Sequence, residues 1–376
     1  MTSLGNAVCP FTSSARPLDD HDSDRLAMRQ AGPLVELDAP AGGPVWVVTD
    51  NALAREVLSD VRFAKDPALA PSGWDRRSAG LEPTAAEQLS LTTLDGADHA
   101  ALRRTFAPLF SARKMHDSYG RMVDVARDLL GQVPSGEVDL VADFSTRYPL
   151  TILCDLLGIP ASHVDEAIEA CRLMHVDYPM NVGRAMGGFA ALASTALNTP
   201  GGLAQSLAAR MPEGTSQGDL EYQIFTLLFA GQLTTDPSIG FLVARLLGSS
   251  GAVPLPDLVR TVLAEHPPAP FSLWRFTAEE VSLAGVSLPA HTPVLVDIQG
   301  INETVPDGEP DLTFGAGPHF CIGAQLAQLE LQALAEVLST EYPDARLALP
   351  YNDLRHATPG GIMGSRLLSL PVSLTS

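Results

Sequence analysis

Basic side chains are scarce in this chain. Its 376 residues carry 24 Lys and Arg against 44 Asp and Glu, a formal charge of −20. That balance excludes sequence-independent binding to nucleic acid, where clustered cations supply the affinity. It equally excludes adsorption to an anionic membrane surface. Cysteine is scarcer still. Cys9, Cys154, Cys171 and Cys321 are too few and too scattered for a disulfide framework or a paired-cysteine zinc site. No run of ~18 apolar residues occurs, which leaves no candidate for a spanning helix. The opening MTSLGNAVCPFTSSARPLDD lacks a charged stretch followed by an apolar one, so no targeting signal is expected. Internal repeats, low-complexity tracts and linkers are absent as well. The expectation is a soluble, cytoplasmic protein folded as a single domain over residues 1–376.

Apolar residues make up 45% of the chain, ample for a sizeable core. Val45–Asp50 reads as a strand and the following NALAREVLSD as a helix capped by Asp50 or Asn51. Pro67–Gln88 is rich in Pro, Ala, Gly and Ser without period, the composition of a long loop that lines a site. From Asp98 to about Pro200 the pattern is helical, punctuated by Pro134, Pro160 and Pro179. Leu220–Leu247 is the longest apolar-periodic stretch and would span roughly 40 Å as a helix. Strand-like pieces around turns follow, then a helix from Gly323 to about Leu338, then short closing strands. The fold class is mostly α with a minor β-sheet.

The sharpest pattern is FGAGPHFCIG, Phe314 to Gly323. Gly315 and Gly317 permit tight turns, and Gly323 permits close approach after the cysteine. Cys321 stands just before a helical run, whose free amides and positive dipole end favour thiolate over thiol. Such amides would also tune a metal held there.

This stretch resembles the heme-binding loop of the cytochrome P-450 superfamily, Phe-Gly-x-Gly-x-His/Arg-x-Cys-x-Gly. Phe314, Gly315, Gly317, His319, Cys321 and Gly323 match every fixed position. The resemblance implies the cytochrome P-450 fold and heme b as cofactor. It further implies Cys321 as iron ligand, His319 on a heme propionate and Phe314 near the sulfur. A thiolate ligand favours O–O cleavage. Other segments extend the likeness from about Val45 to Leu374. DGADHAALRRTF resembles the family's propionate-binding helix, and His99 and Arg103, four apart, fall on one helix face. Arg275 resembles a strand arginine that binds a propionate. Tyr148–Pro160 matches a packing segment. In the long helix, Ala230, Gly231 and Thr234 resemble the distal oxygen-binding motif, where small residues admit dioxygen and the threonine steers protons. The alternative for Thr234 is a back-bond to a helix carbonyl.

Two family signatures are missing. The Glu-x-x-Arg pair before the Pro-rich turn HPPAP is replaced by Thr261 and Ala264. Arg260 and Glu265 flank those positions, too far apart to pair. The segment between the last core strand and the cysteine loop is shortened to NETVPDGEPDLT, and no Arg or Lys occurs from Phe276 through Ala345. Weak anchoring of the cysteine loop is therefore expected. The distal motif carries Leu233 where an acid is common, leaving Asp236 as the nearest catalytic carboxylate, and Pro237 predicts a kink. Gln328 stands where Arg is frequent.

The resemblance implies a heme-thiolate monooxygenase or related oxidase. It would act on a small, largely hydrophobic molecule in secondary-metabolite tailoring, with a ferredoxin-type electron donor. Two alternatives stay open. One is a P-450-like helper that activates a partner biosynthetic enzyme such as a glycosyltransferase. The other is a heme enzyme of non-oxygenase chemistry. By analogy, substrate contacts fall on Pro67–Gln88, Met174–Met186, Phe229, Pro270, Phe271, Ser272 and Met363, mostly apolar residues that suit an apolar substrate.

Overall fold

The computed structural model describes residues 9–18, 20, 22–75, 90–175, 180–248, 251, 253–306 and 309–374. Helices dominate, with small sheets. The contacts divide the chain into two compact units. The first is Met1–Ala101, Thr261–Cys321 and Arg355–Arg366; the second is Leu102–Arg260, Ile322–Leu354 and Leu367–Ser376. The chain passes repeatedly between them, so neither unit is one contiguous segment.

The first unit is organised by a five-stranded sheet. Its order is Leu34–Asp38, Pro44–Val48, Pro293–Val296, Arg275–Thr277 and Phe63–Ala64. Pro44–Val48 and Pro293–Val296 pair in parallel, Trp46 opposite Val294. A central strand covered on both faces needs apolar side chains at every position. PVLV meets that requirement, since all four residues are buried. The helix Asn51–Ser59 starts where expected: Asp50 caps it, its carboxylate accepting from the Leu53 amide at 2.9 Å. A buried ion pair joins Arg25, on the helix Ser23–Ala31, to Asp297 at the end of the central strand. The Arg25 guanidinium also lies 4.5 Å from the centre of the Phe271 ring.

The second unit is built on long helices. Gln217–Gly248 runs for 32 residues, slightly longer at each end than its apolar period predicts. It continues as helix through Pro237, which costs the Leu233 carbonyl its partner without ending the helix. Arg147–Leu157 ends at Gly158, whose φ of 88° only glycine adopts readily. The helix after the cysteine is Ala324–Glu341, with Gly323 at its N-cap.

Candidate active site: the cysteine loop and its cationic neighbours

The cysteine loop is held by its own backbone. The Gly315 amide donates to the Leu312 carbonyl at 2.8 Å, and the Cys321 amide to the Phe314 carbonyl at 2.9 Å. A single 3-10 turn, Gly317–His319, lies between. Gly317 has a φ of 68°, and a Cβ there would meet the Leu58 carbonyl oxygen at 2.7 Å and Ser59 Oγ at 2.8 Å. Both features demand glycine. Cys321 emerges at the end of this loop as the exposed member of the four free cysteines. Cys154 and Cys171 are buried, and burial pushes both thiols up, Cys154 to about 12. They are core residues.

Around the loop the first unit gathers basic groups. The His319 and His99 rings lie 3.9 Å apart, tilted by 34°. His319 Nε2 is 3.2 Å from Asp95 Oδ1, and the other Asp95 oxygen accepts from the Lys65 amide at 2.6 Å. Arg275 donates to the carbonyls of Phe63 and Leu58, at 2.9 and 3.4 Å. Lys65 is 8% exposed and Arg275 4%. Burial, reinforced by Arg275, pushes the Lys65 ammonium down to about 7, with Asp95 and Cys321 opposing. Burial brings Arg275 to about 10 against the attraction of Asp95. The His319 imidazole is lowered by burial, then by Lys65 and Arg275, with Asp95 opposing. Asp95 is held below the usual carboxylate range; burial works against this, and the His319 hydrogen bond and the Lys65 amide outweigh it. His319 Nδ1 and Arg275 Nε are buried without a hydrogen-bond partner among the described residues. Among the described residues, Asp95 is the carboxylate whose attraction acts on Lys65, Arg275 and His319 alike. Such a cluster is short of negative charge.

The first unit thus brings Cys321, His319, His99 and Arg275 together. Phe314 is half-buried, its ring 6.3 Å from that of Phe320. Arg103 stands one turn beyond His99 on the helix Gly96–Phe106. Sequence reasoning missed Lys65 and Asp95. The available signal was a lone lysine directly after the apolar strand pair Phe63–Ala64, and an acid directly before the histidine helix.

The distal-motif residues lie in the second unit, and their surroundings revise several expectations. The space a Gly231 side chain would fill is taken by Leu153, whose Cδ1 would lie 2.8 Å from an added Cβ. Gly231 serves helix packing, while Ala230 is exposed. Thr234 Oγ1 donates to the Ala230 carbonyl at 2.9 Å, the back-bond that was its alternative reading. Asp236 is buried in a nest of donors: Ser145 Oγ at 2.6 Å, Thr146 Oγ1 at 2.7 Å and Gln232 Nε2 at 3.0 Å. Both oxygens are engaged, which makes the carboxylate a structural acceptor. Near it in sequence, Thr235 hydrogen-bonds Glu330 of the helix Ala324–Glu341. Burial pushes the Glu330 carboxyl up to about 8, with the Thr235 bond opposing.

The substrate candidates divide. Phe271 belongs to the core, 5.2 Å from the Phe11 ring and against Arg25. Ser272 exchanges hydrogen bonds with Val296, its amide donating at 2.9 Å and its hydroxyl accepting at 3.0 Å. Pro270 is buried and its carbonyl accepts from Gln299. These three therefore hold the sheet. Phe229, stacked on Phe225 at 5.5 Å, and Met363 are half-buried. Of the two segments expected to touch substrate, residues 76–88 and 176–179 lie outside the described residues.

Comparison with known proteins gives the family. No family model matches the chain. The cytochrome P-450 monooxygenase DoxA of Streptomyces sp. strain C5 is 38% identical, the match covering 97% of this chain and 96% of that protein. The vitamin D(3) 25-hydroxylase of Pseudonocardia autotrophica is 29% identical over 93% of this chain and 92% of its own. Among solved structures, cytochrome P450 MoxA from Nonomuraea recticatena superposes with a TM-score of 0.79 at 27% identity, covering 98% of this chain and 97% of its own. The chain belongs to the bacterial cytochrome P-450 monooxygenases and has their fold over nearly its whole length.

Proposed function

We propose that Cys321 ligates the iron of heme b and that the protein oxygenates a small, largely hydrophobic molecule in secondary-metabolite biosynthesis. The observation that carries this reading is the unbalanced basic cluster beside an exposed cysteine. Two propionate carboxylates would supply negative charge beside Lys65, Arg275 and His319, and acceptors for Arg275 Nε and His319 Nδ1, with His99 next to His319. Arg103 joins them by its match to the family's helix. Among the described residues no group of three or more His, Cys, Asp or Glu is placed to hold a metal ion. A single thiolate suits an iron whose equatorial ligands come from a porphyrin.

When bound, heme supplies the activation of dioxygen and the transfer of one oxygen atom to substrate. The chain's own contribution is positioning and proton control. Gly317 and the Phe314 carbonyl fix the path of the loop up to the Cys321 amide. Thr234 holds its proton on Oγ1 against the Ala230 carbonyl, from which rotation of the hydroxyl releases it. The donors around Asp236 leave that carboxylate no part in the relay. Of the residues expected at the substrate by analogy, Phe229 and Met363, both half-buried, remain candidates. A ferredoxin-type protein is the electron donor, and the cytoplasm the site of action. No helix among the described residues is long and apolar enough to cross a membrane.

The relatives are monooxygenases and hydroxylases, which favours an enzyme over a helper protein. The test is turnover of a panel of hydrophobic compounds under labelled dioxygen, with a surrogate ferredoxin and reductase. Products heavier by one labelled oxygen atom, lost in Cys321→Ser, are expected. Label in no product, together with stable binding of a partner enzyme that survives Cys321→Ala, would establish the helper instead.

A further inference from the structure

The chain lacks the Glu-x-x-Arg pair, and its sequence offers nothing obvious to tie the Pro-rich turn to the cysteine loop. The structure corrects that expectation. The helix Leu255–Glu265 ends with carbonyls that have no intrahelical partner. Three side chains meet them. Thr313 Oγ1 donates to the Leu263 carbonyl at 3.3 Å, Asn302 Nδ2 to that of Ala264 at 3.4 Å, and Gln299 Nε2 to that of Glu265 at 3.4 Å. Asn302 and Thr313 are also joined to each other, Nδ2 to Oγ1, at 3.1 Å. Asn302 Oδ1 accepts from the Leu312 amide at 2.8 Å. Asn302 and Thr313 are 9% and 8% exposed, so these two side chains have little access to water, whereas Gln299 is half-buried.

We propose that Asn302 and Thr313 form a neutral polar latch that positions the Cys321 loop, taking the place of the absent ion pair. The latch grips Leu312 and Thr313, immediately before the loop. From there the Leu312 carbonyl receives the Gly315 amide and the Phe314 carbonyl receives the Cys321 amide. A continuous series of hydrogen bonds thus runs from the end of one helix to the backbone of the cysteine. An uncharged amide and hydroxyl do this without desolvating an ion, the cost that a buried salt bridge carries. The shortened segment before the loop, devoid of Arg and Lys, needs no cation as long as Asn302 supplies both a donor and an acceptor. Asn302 and Thr313 are positioning residues, acting on Cys321 through Leu312 and Phe314.

The inference rests on the heme-thiolate reading for its functional meaning, but its first test needs no heme. Amide hydrogen exchange is followed in the full chain for the wild type and for Thr313→Val, Thr313→Ser, Asn302→Ala and Val47→Ala. Val47 is buried in the sheet of the same unit and serves as a destabilised control. Thr313→Val and Asn302→Ala should speed exchange across Leu312–Cys321 by about tenfold, the consequence of leaving a buried hydrogen-bonding group unmade. Thr313→Ser, which keeps the hydroxyl, should stay near the wild type, and Val47→Ala should spare the loop. In heme-loaded protein the same two variants should show faster heme transfer to an acceptor globin and a larger share of the reduced carbon monoxide complex without the red-shifted Soret band. Unchanged exchange in the loop, or equal loosening by Val47→Ala or Thr313→Ser, overturns the latch. An altered exchange pattern in a protein whose wild type gives no thiolate spectrum keeps the latch and removes the heme-thiolate reading.

Discussion

Two buried polar clusters carry opposite charge problems, and the contrast separates a binding site from a structural knot. Around the cysteine loop, Lys65, Arg275 and His319 are pushed toward their neutral forms by burial, with Asp95 opposing at each and Cys321 opposing as well at Lys65. Polar nitrogens there remain without partners among the described residues. In the second unit, Asp236 is enclosed by three donors. Burial pushes the Glu330 carboxyl up to about 8. Gln232 Oε1 and Glu330 Oε1 in the second cluster are likewise buried without a hydrogen-bond partner among the described residues, so the clusters differ in charge rather than in satisfaction: donors enclose the Asp236 carboxylate, whereas several basic groups crowd Asp95. On the proposed reading the first cluster meets an anion, while the hydrogen bonds of the second tie Asp236 to Ser145 and Thr146.

The largest effect that could break this contrast is expected at Asp236. Asp236→Ala strands Ser145, Thr146 and Gln232 and should cost about 3 kcal/mol in urea unfolding, whereas Asp236→Asn, which keeps one acceptor, should cost about half as much. A neutral result would free Asp236 for a catalytic role.

Next in size is a pH effect at Glu330. Its folded pKa of about 8 lies above the ordinary value of 4.5, so the folded state binds the extra proton between those limits. Stability from this group is therefore fully present below the unfolded value and lost as pH rises through the folded one. Glu330→Gln should remove a slope approaching 1.4 kcal/mol per pH unit in that window. Parallel stability–pH profiles for the two proteins would contradict the assignment.

The smallest and most diagnostic effect is a change of sign at Lys65. In heme-free protein, Lys65→Met removes a buried cation and should raise stability by about 1 kcal/mol. In heme-loaded protein the same change removes a propionate partner, and heme should dissociate about tenfold faster. A satisfied structural lysine would shift both quantities the same way.

What the sequence could show follows from what each residue depends on. Gly317, Cys321 and their neighbours are legible because backbone conformation and ligand chemistry dictate residue type at fixed spacing. Asp50 is legible as a cap for the same local reason. Lys65 and Asp95 are not: their meaning comes from burial beside His319 and Arg275, far away in the chain (a separation of 224 residues for Asp95 and His319). The latch was invisible too, because Thr313 and Leu263 are 50 residues apart and a threonine carries no charge to advertise the contact. Local motifs also misled. Gly231 and Asp236 sit where an oxygen-binding helix has functional residues, yet Leu153 and three donors claim them.

The central claim, that Cys321 is the thiolate ligand of heme, is tested most directly by the absorption spectrum of the reduced protein under carbon monoxide. The wild type should give the red-shifted Soret band of a thiolate-ligated heme, and Cys321→Ser should lose that band. A wild-type spectrum without the red shift, or the same red-shifted band in Cys321→Ser, would contradict the account.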